Sequence, residues 1–151
     1  MKIITDTREQ KPLKFKHPYI TEVCSVGLKY GDYGCQFKDG YNPPFYFERK
    51  SIPDLFGTFG KGYGRFKKEL IRAQKDKAIL IIIIEGTLTD ILRGCTYSKR
   101  EPESLEKQLF TLMIKHWVPW VGCRNRTEMS RYITSFYLAC GREYIRKKKE
   151  R

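Results

Sequence analysis

Acidic residues and histidine are both scarce in this chain. Its 151 residues include 17 aspartates and glutamates and two histidines, against 30 lysines and arginines, so the formal net charge is +13. The two histidines stand alone in the sequence, without the neighbours expected of a ligand or catalytic pair. An excess of positive charge this large favours a polyanionic partner, either nucleic acid or an anionic membrane surface.

Two further absences argue against whole classes of protein. The five cysteines include no Cys-x-x-Cys pair and have no adjacent histidine, which argues against a zinc site. No apolar run approaches the ~20 residues of a membrane-spanning helix, and the N-terminus enters a strand-like pattern without the features of a signal peptide. We therefore expect a soluble intracellular protein of the cytoplasm, nucleoid or nucleus, with a viral or mobile-element gene as one possible source.

The composition is that of a folded protein. Hydrophobic residues make up 40% and aromatic residues 14% of the chain, which excludes a disordered polymer. The length favours one domain over residues 1–151. The last residues of that domain, about 146–151, form a basic tail.

Hydrophobic periodicity predicts an α/β protein with a mixed central sheet flanked by helices. Strands are expected at 2–6, 21–28, 30–37, 45–48, 78–84 and 118–123. Helices are expected at 51–59, 65–75, 88–93, 103–117 and 127–148. The loop at 38–44 predicts a hairpin between the strands on either side of it. The apolar run at 78–84 contains four consecutive isoleucines, which is typical of a strand buried on both faces.

The most informative pattern is Gly-Asp-Tyr at 31–33 followed by Glu-Arg-Lys-Ser-Ile-Pro-Asp at 48–54. Alternate residues of a strand point to the same face, so Glu48 and Lys50 share a face and Arg49 takes the other. Asp32 reaches the first face if the two runs pair as a hairpin. Two carboxylates and an ammonium group crowded on a sheet are costly unless a cation binds between the acids. The pattern therefore favours a hard divalent metal with oxygen ligands.

These residues resemble the nuclease motif of the XPF/Mus-type structure-specific endonucleases, in the restriction-endonuclease-like superfamily. Asp-Thr-Arg-Glu at 6–9 resembles the first acidic motif of that family, and the similarity covers about residues 3–87. The resemblance implies a restriction-endonuclease-like core. It also implies hydrolysis of DNA phosphodiester bonds, at branched DNA or single-strand/double-strand junctions, with Mg²⁺ or Mn²⁺ as cofactor.

The resemblance assigns roles to individual residues. Asp32 and Glu48 are expected to hold the metal, and Glu9 or Asp6 is expected to be a further or water-mediated ligand from the same face. Lys50 is expected to orient the attacking water or to stabilise the pentacovalent state.

Two more motif residues have alternative roles. Arg49 is expected either to anchor the acidic network or to touch a phosphate. Asp54 is expected to act indirectly by holding Arg49 or Lys50, although a carboxylate at a helix start also stabilises the helix dipole without any catalytic role.

Basic residues predict the surface that binds DNA. The glycine-rich segment at 59–65 suits a phosphate at a helix start, and residues 61–77 hold seven basic and two acidic residues. The tail from 142 to 151 carries six basic and two acidic residues, and either contacts nucleic acid or is a solvated end. The expected DNA-binding residues are Arg8, Lys61, Arg65, Lys67, Lys68 and Arg72.

The chain also departs from the family pattern, because no helix–hairpin–helix module follows the nuclease motif. We therefore expect either a homodimer or a separate DNA-binding subunit to help hold branched DNA. An apolar stripe at helical spacing predicts the homodimer contact, and the alternative is that the stripe packs on its own sheet. Its residues are Tyr132, Phe136, Tyr137, Cys140 and Tyr144, near Trp117 and Trp120.

Two other functions remain open from the sequence. One is a non-catalytic DNA-binding or scaffold subunit of a nuclease complex, although such partners usually lack the acids that are present here. The other is a nuclease that acts on RNA.

Overall fold

The computed structural model describes residues 1–151 and contains one six-stranded mixed sheet. Its strands are β1 (Lys2–Thr5), β2 (Glu22–Ser25), β3 (Tyr33–Gln36), β4 (Phe45–Ser51), β5 (Ile79–Glu85) and β6 (Trp120–Cys123). Its helices are α1 (Ile52–Thr58), α2 (Tyr63–Lys75), α3 (Leu88–Leu92), α4 (Pro102–His116) and α5 (Arg126–Lys149). The predicted α/β class and mixed sheet are confirmed.

The sheet order is β2-β1-β3-β4-β5-β6, which puts β4 and β5 in central positions. β3 runs antiparallel to both β1 and β4, whereas the pairs β1–β2, β4–β5 and β5–β6 are parallel. The predicted hairpin between β3 and β4 is therefore present. The isoleucine run in β5 is buried on both faces, as expected for a strand with parallel neighbours and helices above and below it.

Two hydrophobic cores lie on opposite faces of the sheet. Side chains of α1, α2, α3 and α4 pack on one face, against residues of β5 such as Leu80, Ile82 and Ile84. Helix α5 and the N-terminal segment pack on the other face, against Phe47, Ile81 and Ile83. The first is called the cleft face below, and the second the α5 face.

Strand alternation sends neighbouring residues of β4 to different faces. Phe47 packs in the core of the α5 face, and Arg49 pairs in register with Ile83 of that same core. Glu48 pairs in register with Ile82, which belongs to the cleft-face core. The parity prediction for Glu48 and Arg49 is therefore confirmed.

The apolar stripe of α5 packs mainly within the chain. Tyr137 is completely buried, and its hydroxyl donates to the Phe45 carbonyl oxygen at 2.8 Å. The ring of Phe136 lies 5.3 Å from that of Phe47. Tyr144 stacks on Tyr41 with ring centroids 3.8 Å apart. The use of this stripe as a dimer surface is therefore corrected, because its aromatic rings are largely occupied by their own sheet and loops.

The second predicted strand is shorter than expected. Glu22–Ser25 pairs in register with β1, and the Val26 N–H still donates to the Thr5 carbonyl oxygen at 3.0 Å. The segment after Val26 takes other partners. The Leu28 N–H donates to the Asp6 carboxylate at 2.6 Å, and Gly31 then adopts a left-handed conformation. No helix in the structure combines the length and the apolar character needed to cross a membrane.

Candidate active site at the carboxyl end of β4

The hairpin brings Asp32 to the end of β4. Asp32 comes just before β3, and because β3 and β4 are antiparallel, the start of one lies beside the end of the other. The Asp32 N–H donates to the Phe47 carbonyl oxygen at 2.7 Å. In return, Asp32 Oδ2 accepts a hydrogen bond from the Arg49 backbone N–H at 2.7 Å. The carboxylate is therefore held by the backbone of the strand that carries Glu48.

Gly31 makes this approach sterically possible. Its φ is +64°, and a Cβ atom there would lie 2.8 Å from the carbonyl oxygen of Phe47. Any side chain would force the two strands apart, in addition to straining the backbone. Glycine at position 31 therefore allows the aspartate that follows it to sit against β4.

Glu48 and Lys50 form an ion pair on the cleft face. The Nζ of Lys50 lies 3.0 Å from Oε1 of Glu48, and Glu48 is only 9% exposed. Asp32 Oδ1 and Glu48 Oε2 accept no hydrogen bond, and neither oxygen is completely buried. Each carboxylate therefore keeps one oxygen available to a ligand.

Burial makes these two acids resist ionisation. Loss of solvent raises the pKa of Asp32 to about 8, and the nearby negative charge of Glu48 adds to that shift. Burial likewise raises the pKa of Glu48, against the opposing effect of Lys50. One ammonium group does not compensate both acids, which is the electrostatic condition that a bound cation relieves.

A cleft of about 690 Å³ opens in front of Glu48 and Lys50. Its walls come from the end of β4, from α1, from the glycine-rich loop and from the first turns of α2. The charged side chains that line it are Glu48, Lys50, Asp54, Lys61, Arg65 and Glu69. The cleft is polar, and its lining combines three acidic and three basic side chains.

Glu9 lies on the α5 face and not with Glu48. Both of its carboxylate oxygens accept hydrogen bonds from the Arg49 guanidinium, each at 2.8 Å. Although burial opposes ionisation, these bonds lower the pKa of Glu9. Arg49 also lies 3.6 Å from Glu85, which is 3.7 Å from Arg126 of α5. The expectation that Glu9 shares a face with Glu48 is wrong, because strand alternation puts its partner Arg49 on the α5 face.

Asp6 has a structural environment. Its Oδ1 accepts from the Arg8 backbone N–H at 3.0 Å and from Arg8 Nε at 2.8 Å, and its Oδ2 accepts from the Leu28 N–H. Despite burial, these hydrogen bonds lower the pKa of Asp6. Arg8 is 71% exposed at its side chain and remains accessible to a phosphate. Both carboxylate oxygens of Asp6 are therefore occupied by hydrogen bonds from Arg8 and Leu28.

The further acid that was expected beside Asp32 and Glu48, either Glu9 or Asp6, does not form a three-residue site with them. No three aspartate, glutamate, histidine or cysteine side chains are arranged to hold one ion. The oxygen donors of Asp32 and Glu48 still fit a hard divalent cation, because each retains a free oxygen.

Asp54 does not hold Arg49 or Lys50. It lies exposed in the first turn of α1, where Ser51 caps the helix by accepting the Asp54 N–H at 3.2 Å. The two basic residues are paired with Glu9 and Glu48 instead. The indirect pairing expected for Asp54 is therefore corrected, and its carboxylate is available at the rim of the cleft.

Apart from Arg8, the predicted DNA-binding residues fall into two groups. Lys61 and Arg65 line the cleft, whereas Lys67, Lys68 and Arg72 are exposed along α2. Helix α2 begins after Gly62 without a side-chain cap, so its first N–H groups are free of the usual side-chain acceptor.

Sequence reasoning missed Glu69. Its Oε1 accepts the Gly31 N–H at 2.8 Å, and its side chain lines the same cleft as Glu48 and Lys50. It lies outside the recognised motif, in a strongly basic helix, and no local pattern relates it to Gly31. Only the packing of α2 over the sheet brings the two together.

Comparison with known proteins agrees with this fold. A family model of the ERCC4 domain matches residues 5–136. The structure resembles XPF from Aeropyrum pernix, with a TM-score of 0.64 and 20% identity over 89% of this chain and 63% of that one. It also resembles XPF from Aeropyrum pernix in complex with DNA, with a TM-score of 0.65 and 18% identity over 94% of this chain and 66% of that one.

The chain thus spans slightly less than two thirds of the XPF chains that it matches. No curated protein sequence matches it. The mixed sheet with helices on both faces has the restriction-endonuclease-like architecture of the XPF nuclease domain. Because the family model spans most of its residues, this chain belongs to the ERCC4 domain family.

Proposed function

We propose that this protein is a divalent-metal-dependent endonuclease that hydrolyses phosphodiester bonds in branched DNA or at single-strand/double-strand junctions. The observation that carries the proposal is the group of Asp32, Glu48 and Lys50 at the end of β4, where Glu48 and Lys50 line the cleft and the charge of Glu48 acts on Asp32. Each of the two carboxylates has one oxygen free of hydrogen bonds. Membership of the ERCC4 domain family supports nuclease chemistry at this location.

Asp32 and Glu48 would hold Mg²⁺ or Mn²⁺ through their free oxygens. A divalent ion there supplies charge neutralisation at the phosphate and lowers the pKa of a bound water. The protein contributes rigidity, because the Arg49 backbone N–H fixes one oxygen of Asp32 and Lys50 fixes one oxygen of Glu48. Asp6 and Glu9 support the site from outside the cleft, through the loop of Arg8 and the side chain of Arg49.

Lys50 contributes an ammonium group, a hydrogen-bond donor, at the reaction centre. Its ammonium is mostly buried and already lies 3.0 Å from Glu48. Three N–H donors on one nitrogen allow it to keep that bond while it orients a water or a phosphate oxygen. Asp54, exposed at the rim of the same cleft, is suited to adjust the local charge rather than to bind the metal.

Basic residues around the cleft are suited to hold the DNA backbone. Lys61 and Arg65 line the same cleft as Glu48, so a phosphate that enters the cleft would meet positive charge from these side chains and from the metal. The exposed lysines of α2 extend this surface. Contacts of this kind position the duplex without reading its sequence, and the DNA bound to the related XPF structure supports the same partner for this chain.

A second copy of the chain is part of the proposal. Phe110, Ile114 and Trp117 lie three or four residues apart along α4 and its C-cap, and they are 42%, 76% and 84% exposed. In the proposed homodimer, a second copy covers this apolar face, and the basic surfaces of the two copies join into one continuous track. Light scattering at micromolar concentration tests this, and a mass of 17.9 kDa with Trp117→Ser indistinguishable from wild type rules the dimer out.

One assay tests the activity. Labelled single-stranded, duplex, flap and fork DNA, and matching RNA, are incubated with the protein in Mg²⁺, Mn²⁺ or EDTA. We expect cleavage of flap or fork DNA with either metal and none in EDTA, and Asp32→Asn serves as the inactive control. Cleavage that persists in EDTA contradicts the metal assignment, and faster cleavage of RNA contradicts the substrate class.

Binding without cleavage gives a different answer. If flap and fork DNA bind tightly and stay intact with every metal, the protein is a non-catalytic DNA-binding or scaffold subunit. Preference for one duplex sequence over a scrambled one at fixed salt would contradict recognition through the backbone.

A further inference from the structure

Glu69 is the one acidic side chain of α2 that reaches the sheet. It lies in the middle of a helix whose other charged residues are mostly basic and exposed. Its Oε1 accepts a hydrogen bond from the Gly31 backbone N–H at 2.8 Å, across 38 residues of sequence. Its second oxygen accepts no hydrogen bond, and Glu69 lines the cleft that Glu48 and Lys50 also line.

The Gly31 N–H has no backbone alternative to Glu69. Gly31 is buried and left-handed, at φ +64°, and its amide donates to no backbone carbonyl. The next amide, that of Asp32, donates to Phe47. Without an acceptor, this buried N–H would remain unsatisfied, which is costly and favours rotation of the Tyr30–Gly31 peptide that carries it.

Gly31 connects that peptide directly to Asp32. The Asp32 backbone is held at its N–H by Phe47 and at its carbonyl oxygen by the Asp6 N–H, at 2.7 and 2.8 Å. The Glu69 bond fixes the residue immediately before it. A rotation at Gly31 therefore shifts Asp32 relative to Glu48, although it leaves both side chains present.

We propose that Glu69 is a positioning residue for the metal-binding acids. It holds the left-handed Gly31 peptide and thereby aligns the Asp32 carboxylate with Glu48 for the reaction. This inference rests on the proposed nuclease function. It requires a hydrogen-bond acceptor at position 69 and does not require a negative charge there.

Three variants separate the acceptor from the charge. Glu69→Gln keeps an oxygen that accepts the Gly31 N–H and loses the charge. Glu69→Ala removes both, and Glu69→Met removes both while it preserves volume and helix propensity, in case the alanine variant does not fold. Glu143→Gln is the matched control, because that glutamate is an exposed partner of Arg146 on α5, away from the cleft.

Two readouts test the proposal. The exchange rate of the Gly31 amide, measured by NMR, is expected to rise at least about tenfold in the alanine and methionine variants and to stay near wild type in the glutamine variant. The single-turnover cleavage rate at saturating protein is expected to fall about 10- to 100-fold in the same two variants. DNA affinity stays within about twofold for all variants, because Glu69 makes no proposed phosphate contact.

Several outcomes would overturn the proposal. Unchanged Gly31 exchange in the alanine and methionine variants shows that Glu69 does not hold that amide. Raised exchange with a wild-type cleavage rate breaks the link to Asp32. A glutamine variant as slow as the alanine variant, with Gly31 still protected, shows that charge matters instead. If wild-type protein cleaves no substrate, the proposed function fails, and Gly31 exchange still decides whether the hydrogen bond exists.

Discussion

Glu48 and Arg49 are adjacent in β4, yet they lie in opposite electrostatic environments. On the α5 face, Arg49 is bonded to both oxygens of Glu9 and lies near Glu85, which is shared with Arg126. On the cleft face, the single ammonium of Lys50 serves Glu48, while Asp32 and Glu69 have no cationic partner within ion-pair distance. On one face the charges form a closed network, and on the other the acids are only partly paired.

The difference arises from what covers each face. Helix α5 and the N-terminal loop pack against the α5 face, and Arg126 ties them together by donating to the Lys11 carbonyl at 2.6 Å. On the other face, the glycine-rich loop and the start of α2 leave a cleft in front of β4. A buried charge that is fully paired contributes to structure, whereas incompletely compensated acids beside an open cleft are typical of a functional site.

The largest expected effect comes from removing a charge on the cleft face. Asp32→Asn or Glu48→Gln should reduce cleavage about 10⁴-fold, which corresponds to about 5 kcal/mol, because the ligand charge is lost. Folding and DNA binding should be retained, as judged by circular dichroism and anisotropy. Glu22→Gln on the exposed edge strand is the control. Wild-type cleavage by either site variant would end the metal assignment.

The α5 face should respond in stability. Arg49→Met should lower the free energy of unfolding by about 3–5 kcal/mol, because it leaves the buried Glu9 carboxylate without its partner. Urea denaturation measures the loss. Adding Glu9→Met to the same protein should restore most of the stability, since no buried charge remains. A double variant whose loss equals the sum of the single losses would show that the pair is not coupled.

The pH dependence of the metal-free protein should separate the two faces further. Because the pKa of folded Asp32 is raised from 3.8 to about 8, the unfolded chain releases that proton first as pH rises from 4 to 8. The free energy of unfolding therefore falls across this window. Asp32→Asn should be more stable than wild type by about 1–2 kcal/mol at pH 8 and equal to it near pH 4.

Thermal denaturation in EDTA at pH 4, 6 and 8 measures this difference. Addition of Mg²⁺ or Mn²⁺ at pH 8 should raise the melting temperature of wild type and leave the Asp32→Asn variant unchanged. A constant gap between the two proteins across the pH range would contradict a raised Asp32 pKa.

The smallest effects are expected from the basic surface. Lys67→Ala and Lys68→Ala on the exposed side of α2 should each weaken DNA binding by a few-fold and reduce the slope of log affinity against log salt by about one. Lys38→Ala, in the exposed loop after β3, is the control. Anisotropy titrations at several salt concentrations test this, and equal slopes for all four proteins would exclude α2 from the interface.

The sequence was informative wherever a local rule applied. The isoleucine run predicted β5 because a strand covered on both faces needs apolar residues at every position. Strand parity predicted that Glu48 and Lys50 share a face that excludes Arg49. The hairpin signal at 38–44 predicted that Asp32 approaches β4. The helix expected from residue 51 is observed as α1, with Ser51 as its cap.

Predictions failed where the partner was distant in the chain. The acidic motif placed Glu9 with the metal ligands, but its partner is Arg49, and the face of Arg49 decides the face of Glu9. Asp54 was expected to pair with Arg49 or Lys50, and both were already bonded to other acids. The stripe of α5 predicted a contact between copies, although the same spacing serves equally well to pack a helix on its own sheet.

By itself, the sequence determined the strands, the two acids with their lysine, the alternation that divides β4 and the positive charge that favours DNA. These properties depend on residue type and on spacings of one to four residues, because the backbone geometry of a strand or helix sets the direction of each side chain. The tertiary structure decided which acids are neutralised and which remain free. That outcome depends on where α5 and α2 pack, and it made Glu69, a residue without any motif, the partner of the glycine that precedes Asp32.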